Sequence, residues 1–207
     1  MTRFIGIISG SSGSGKTTIA SNLSILLQAN GSKTSLVDAS HEAPAVHLHL
    51  KPGIGEGPYS PYTHHSGVDV IPSSAIKGKK KIESVLTSLF GKSSIVLIDN
   101  SHLHTDESII IVNPDSFSVQ AALKKIQEAE EHGSTVIGTI ISRKKGLRSE
   151  VSEKEVTNIL NKQVLGTVPE DINVQDALRS QQPLVYFSPT SPASQSLIKI
   201  GGLLQWP

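Results

Sequence analysis

The chain has 207 residues, 37% of them hydrophobic and 18% charged, the profile of a water-soluble globular protein with enough length for one sizeable core. A net charge of +1 excludes a strong overall pull toward nucleic acid or acidic membranes, and the absence of cysteine excludes disulfides and cysteine-held zinc or iron–sulfur centres. No run approaches the roughly 20 apolar residues of a membrane span. The expected location is therefore a reducing, cytoplasmic one without membrane attachment.

In chain order, "RFIGIIS" (3–9) reads as a strand rather than a signal peptide, because it is short and runs directly into a glycine-rich turn. An amphipathic helix follows, with Ile19, Leu23, Leu26 and Leu27 on one face. Further strands are expected at 33–39, 68–73, 94–100, 108–113, 135–142 and 163–169. Most are apolar throughout, as strands of a parallel sheet covered on both faces must be. Residues 51–67 are rich in Gly and Pro and read as a loop. Ile82, Val85, Leu86 and Leu89 repeat with helical spacing, as do Val119, Leu123, Ile126 and Ala129. So do Leu197, Ile200, Leu203 and Leu204, behind a Ser191 N-cap and a proline at the first helical position. Alternating strands and helices predict an α/β, doubly wound, mostly parallel sheet within a single domain spanning residues 1–207.

The turn after the first strand carries the most specific signal. Gly10-Ser11-Ser12-Gly13-Ser14-Gly15-Lys16-Thr17 satisfies G-x-x-x-x-G-K-[ST], with a strand before it and a helix after it. Gly13 and Gly15 let backbone N–H groups wrap phosphate oxygens, Lys16 reaches the β- and γ-phosphates, and the Thr17 hydroxyl ligates Mg²⁺. The helix beginning near Thr18 points its positive end at the anion.

Beyond this loop the chain resembles the MinD/ParA family of P-loop ATPases, especially MinD-like proteins of archaea. "FIGIISG…GKTTIASNLSILLQANGSKTSLVDA", "APAVHLHL", "SIVLIDN", "IIIVNPDSFSVQAALKKI" and "VLGTVPEDINVQDALRSQQPLVYFSPTSPASQSL" carry the resemblance nearly end to end. It implies a seven- or eight-stranded sheet, ATP with Mg²⁺, and a nucleotide-dependent homodimer or a complex with another protein. Asp38 would orient a metal-bound water and Asp99 would hold Mg²⁺ through water. Arg143 would stack on the base, against a second pocket wall of Val168, Pro169, Glu170 and Asp171.

Four departures from the family pattern stand out. Ser11 replaces the lysine that in the family crosses to the partner's nucleotide, and Ser40 replaces the second acid of Asp-x-Asp, which positions the attacking water. The glycine expected soon after Asp99 is missing, and Ser142 stands where an adenine-binding Asn is usual. A cationic finger is worth about 10³–10⁵ in rate, roughly 4–7 kcal/mol. The expectation is therefore preserved nucleotide binding with hydrolysis that is slow or needs a partner. The alternatives are a non-catalytic nucleotide-binding scaffold and a metal-insertion accessory protein. The second would use histidines 41, 47, 49, 64, 65, 102 and 104, imidazole being a ligand for Zn, Ni and Cu. Basic runs at Lys77–Lys81 and Arg143–Arg148 allow a DNA contact, with a solvated surface the favoured reading. The C-terminal "KIGGLLQWP", with Trp206, is too short and weakly charged for a membrane-targeting helix.

Overall fold

The computed structural model describes residues 1–40, 44–53, 57, 59–76, 79–100 and 105–204. Its strands are β1 (Arg3–Ser9), β2 (Thr34–Asp38), β3 (Tyr62–Thr63), β4 (Asp69–Ile71), β5 (Ile95–Asp99), β6 (Glu107–Val112), β7 (Thr135–Lys144) and β8 (Val164–Pro169). Its helices are α1 (Lys16–Ala29), α2 (Val46–His49), α3 (Lys79–Leu89), α4 (Ser116–Glu131), α5 (Glu153–Leu160), α6 (Asn173–Arg179), α7 (Leu184–Phe187) and α8 (Pro192–Leu203). The eight strands form one sheet in the order β3-β4-β2-β5-β1-β6-β7-β8. Every pairing is parallel except β3 with β4.

The alternation of β1 shows why both faces are covered. Ile5 and Ile7 point into a core built with Ile19, Leu23 and Leu27 of α1 and Leu197 and Ile200 of α8. Ile8 points the other way, onto Val119, Ala122 and Ile126 of α4 and Val156 of α5. A third cluster packs Ile82, Leu86 and Leu89 of α3 on Val96 and Ile98 of β5. The seven expected strands are all present with shifts of a residue or two at their ends.

Three expectations need correction. The segment 51–67, read as loop, contains β3, which pairs antiparallel with β4 through a turn closed by Gly67 N–H to the His64 carbonyl at 2.8 Å. A two-residue strand is too short to show a period, so Gly and Pro content dominated the reading. Leu123 and Leu203 are exposed rather than part of their helices' apolar faces. The buried stripe of α4 runs through Val119, Ala122, Ile126 and Ala129, leaving Leu123 at its margin. Leu204, just past the end of α8, is buried as expected, while Leu203 is not.

The carboxyl ends of β2, β5 and β1 lie side by side, with Asp38 opposite Asp99 and Asp99 opposite Ile7 in register. The chain moves outward from β1 in both directions, toward β5 on one side and β6 on the other. This is the topological switch point, where open α/β sheets bind their ligands.

Candidate nucleotide-binding site

The loop between β1 and α1 folds as the glycine spacing requires. Gly13 and Gly15 have φ of 69° and 93°, left-handed values that favour glycine. Gly15 also abuts Ser142 of β7, whose hydroxyl would lie 2.9 Å from an added Cβ. Gly10 serves packing instead, since a Cβ there would fall 2.4 Å from the backbone of Ala121 in α4.

Hydroxyl groups hold the loop in shape. The buried Ser14 donates to Ser9 Oγ at 2.9 Å, and Ser9 donates to the Ser11 carbonyl at 2.6 Å. Lys16 Nζ rests on Ser9 Oγ at 3.0 Å and on the Ser11 carbonyl at 3.4 Å. Burial lowers the Lys16 pKa against the pull of Asp99, and Lys125 adds to the lowering. Ser11 and Ser118 of α4 approach through their hydroxyls at 3.4 Å. Ser12 lines the same opening, a cavity of about 480 Å³ bordered by residues 9–18, Ser40 and Asn100.

The two acids behave differently. Thr17 Oγ1 donates to Asp99 Oδ2 at 2.6 Å, while Asp99 Oδ1 is buried with no hydrogen-bond partner among the described residues. Burial, with Asp38 nearby, pushes the Asp99 pKa up to about 6, against the Thr17 hydrogen bond and Lys16. Asp38 is equally buried but both its oxygens are engaged: Oδ1 accepts from Ser40 N at 3.0 Å, and Oδ2 from Ala45 N at 3.2 Å and Val46 N at 3.3 Å. Burial raises its pKa too, with those three N–H groups opposing. An unpartnered buried carboxylate oxygen beside a threonine hydroxyl is what a hard divalent cation takes as ligands, so Thr17 and Asp99 fit Mg²⁺. The two strand-end segments are also tied together: Ala39 N–H donates to the Asp99 carbonyl at 3.1 Å and Asn100 Nδ2 to Ser40 Oγ at 3.2 Å.

Beside the loop lies a second cavity, of about 230 Å³, with Thr18, Ile19, Ser142, Val174, Leu184 and Leu197 among its walls. Arg143, Pro169, Glu170 and Asp171 also line it, as expected for a base pocket. Arg143 is anchored more firmly than a stacking role requires. Its φ of 64° is left-handed, and its guanidinium donates to the Gly13 carbonyl at 3.0 Å and to Glu170 at 3.2 Å.

Asp171 ties the wall together, accepting from Asn173 N at 2.9 Å and from Ala193 N, at the start of α8, at 3.3 Å. Burial acts to raise its pKa, but bonds from Asn173, Ser191 and Ala193 outweigh it and hold the carboxyl low. Asn22 was missed by sequence reasoning. Its amide bonds the Thr18 carbonyl at 2.8 Å and receives Val185 N–H at 3.0 Å, fastening α7 to α1. The only signal was a polar side chain inside an apolar helix face.

Among the described residues the histidines do not gather into a metal-binding group. The rings of His64 and His65 lie 3.9 Å apart, tilted at 42°, and those of His65 and Tyr186 lie 5.9 Å apart, tilted at 36°. His49 and His64 are buried, which lowers both pKa values to about 4. No group of three or more potential metal ligands assembles among the described residues. His41, His102, His104, the rest of residues 101–104 where a glycine was expected, Lys77 and Trp206 lie outside those residues. The Arg143–Arg148 run spans the end of β7 and the mostly exposed loop after it, with the Lys145, Gly146 and Leu147 N–H groups bound to Glu150. Among the described residues no helix is long and apolar enough to cross a membrane.

The sequence profile of the CobQ/CobB/MinD/ParA nucleotide binding domain matches residues 5–184. The chain belongs to this family. An uncharacterized ATP-binding protein of Methanocaldococcus jannaschii is 30% identical to this family member, covering 97% of this chain and 86% of its own. A second from that organism is 27% identical, covering 97% and 87%. Among solved structures, the septum site-determining protein MinD of Pyrococcus horikoshii, complexed with Mg-ADP, superposes with a TM-score of 0.87 at 24% identity, covering 99% of this chain and 96% of that one. That likeness shows the MinD-type P-loop fold.

Proposed function

We propose that this chain is a single MinD/ParA-type nucleotide-binding domain that binds ATP with Mg²⁺ and acts as a switch. One observation carries the reading: the Lys16–Thr17 end of the phosphate loop sits against Asp99, whose second oxygen is buried and unpartnered. The name of the Methanocaldococcus relative, an ATP-binding protein, supports it.

In this reading the N–H groups of residues 10–18 wrap the phosphates. Lys16 swings from Ser9 onto the β- and γ-phosphates, where full charge on its ammonium is restored by the anion. Thr17 and Asp99 hold Mg²⁺, which neutralises phosphate charge when bound. Asp38 would orient solvent at that ion through the free lone pair of Oδ1 while its oxygens keep the backbone N–H groups of Ser40, Ala45 and Val46. ATP binding thereby couples to the segment leading into α2. The base lies in the cavity walled by Arg143, Pro169, Glu170 and Asp171. Hydrolysis is slow or partner-assisted, because Ser11 and Ser40 supply neither the cation nor the carboxylate that speeds it. Asp38 and Lys16 remain as the charged groups that serve the reaction. Nucleotide binding then favours a homodimer or a complex with another protein.

The test is the nucleotide content of purified protein by mass spectrometry, with phosphate release measured at enzyme excess. Bound ATP or ADP and slow release abolished by Lys16→Ala are expected. Turnover as fast as that of family members with both the lysine and the second acid would contradict the slow-switch reading.

A further inference from the structure

The two residues that follow the paired aspartates form a contact of their own. Ser40 lies two residues beyond Asp38 and Asn100 directly follows Asp99. Both border the phosphate-loop cavity, and Asn100 Nδ2 donates to Ser40 Oγ at 3.2 Å. The backbone of Asn100 is tied to the sheet. Its N–H is bound to the Ile7 carbonyl of β1 at 2.9 Å, and its φ of 65° is the left-handed conformation that asparagine tolerates better than most residues.

The geometry points to Ser40 and Asn100 as a neutral water-positioning pair for phosphoanhydride hydrolysis, a role that rests on the ATP-binding reading above. With Nδ2 committed to Ser40, Asn100 Oδ1 is left as an acceptor. Ser40 Oγ keeps a second lone pair. Together they offer two acceptors at the cavity rim, enough to receive both O–H groups of one water and aim its lone pair inward. Phosphoryl transfer asks little of a base, since its transition state is loose, and a neutral amide can orient the attacking water. The water oxygen bonds to the γ-phosphorus as the bond to the β–γ bridging oxygen breaks. That electron pair leaves on ADP, and a water proton passes to the γ-phosphate oxygens. Asp38 and Asp99 already crowd this edge with two buried carboxylates, so an uncharged pair avoids a third like charge.

Asn100→Gly removes the amide while suiting the left-handed backbone, and Ser40→Ala removes the hydroxyl. For wild type, both single variants and the double variant, ATP affinity, single-turnover phosphate release and retention of Mg-ADP with aluminium fluoride are measured. Each single variant is expected to slow release by roughly tenfold or more, with the double variant no slower than either. Fluoride-dependent ADP retention falls in parallel, while ATP affinity and melting temperature stay near wild type. Unchanged release and unchanged fluoride-dependent retention, or a loss of ATP affinity matching the loss of rate, would overturn the pair. Wild-type protein that binds no ATP would instead overturn the reading beneath it.

Discussion

Thr17 Oγ1 meets Asp99 Oδ2 at 2.6 Å, and the opposite oxygen of that carboxylate is buried without a partner among the described residues. A charge half-satisfied at the centre of a parallel sheet costs stability unless a cation completes it. Asp99→Asn should therefore stabilise the nucleotide-free protein. The amide oxygen can still accept from Thr17, and the buried charge is gone. With the folded pKa raised from 3.8 to about 6, the gain at pH 7.5 is about 1–3 kcal/mol. Thermal melts without nucleotide measure it. The same variant should lose the Mg²⁺-dependent increment in ATP affinity.

Gly10 and Ala121 set a second prediction. Because the clash at 2.4 Å is backbone against a new Cβ, no side-chain rotation relieves it. Gly10→Ala must push α4 away from the loop, at a cost of about 1–3 kcal/mol by urea denaturation. Gly13→Ala meets open space and suffers only from its φ of 69°, so its loss should be about 1 kcal/mol.

Acid should destabilise the fold through His49 and His64. Both have folded pKa values near 4, below the 6.5 of an exposed imidazole, so the unfolded chain binds more protons between those limits. Their contribution is fully present above about pH 6.5 and is lost progressively as pH falls toward 4. At pH 5, His49 alone accounts for roughly 2 kcal/mol. His49→Gln should flatten the melting-temperature profile between pH 7 and 5; an unchanged slope would show that His49 is not the titrating group.

The loop, its flanking strand and helix, and the parallel sheet were legible because each leaves a local mark. Glycine spacing reports left-handed backbone, continuous apolar runs report strands buried on both faces, and Ser191-Pro192 reports a helix start, realised with the Ser191 side chain accepting from Ser194 N. What stayed hidden was long-range. Gly10 looks like its neighbouring glycines until Ala121 arrives from over 100 residues away. Asp171 reads as a pocket residue until Ala193 donates to it. Arg143 reads as a solvated or stacking cation, yet it bridges the Gly13 carbonyl and Glu170. β3 carries no period that a sequence can show, and the helical spacing that correctly placed Leu204 inward did not separate it from the exposed Leu203.

Ser11 offers a direct route to faster chemistry. Its hydroxyl makes only a long 3.4 Å approach to Ser118, so Ser11→Lys removes little. If slow hydrolysis follows from the missing cation, Ser11→Lys should raise phosphate release about tenfold or more, and should do so more strongly as protein concentration rises. Release independent of concentration would place the added lysine's effect within one chain.

The central claim is that this loop binds ATP with Mg²⁺ through Lys16, Thr17 and Asp99. Isothermal titration of nucleotide-stripped protein with ATP, with and without Mg²⁺ and against Lys16→Ala, tests it most directly. One ATP per chain, tightened by Mg²⁺ and weakened at least tenfold by Lys16→Ala, is the predicted result. Absence of binding in wild-type protein, or binding indifferent to both Mg²⁺ and Lys16, would contradict it.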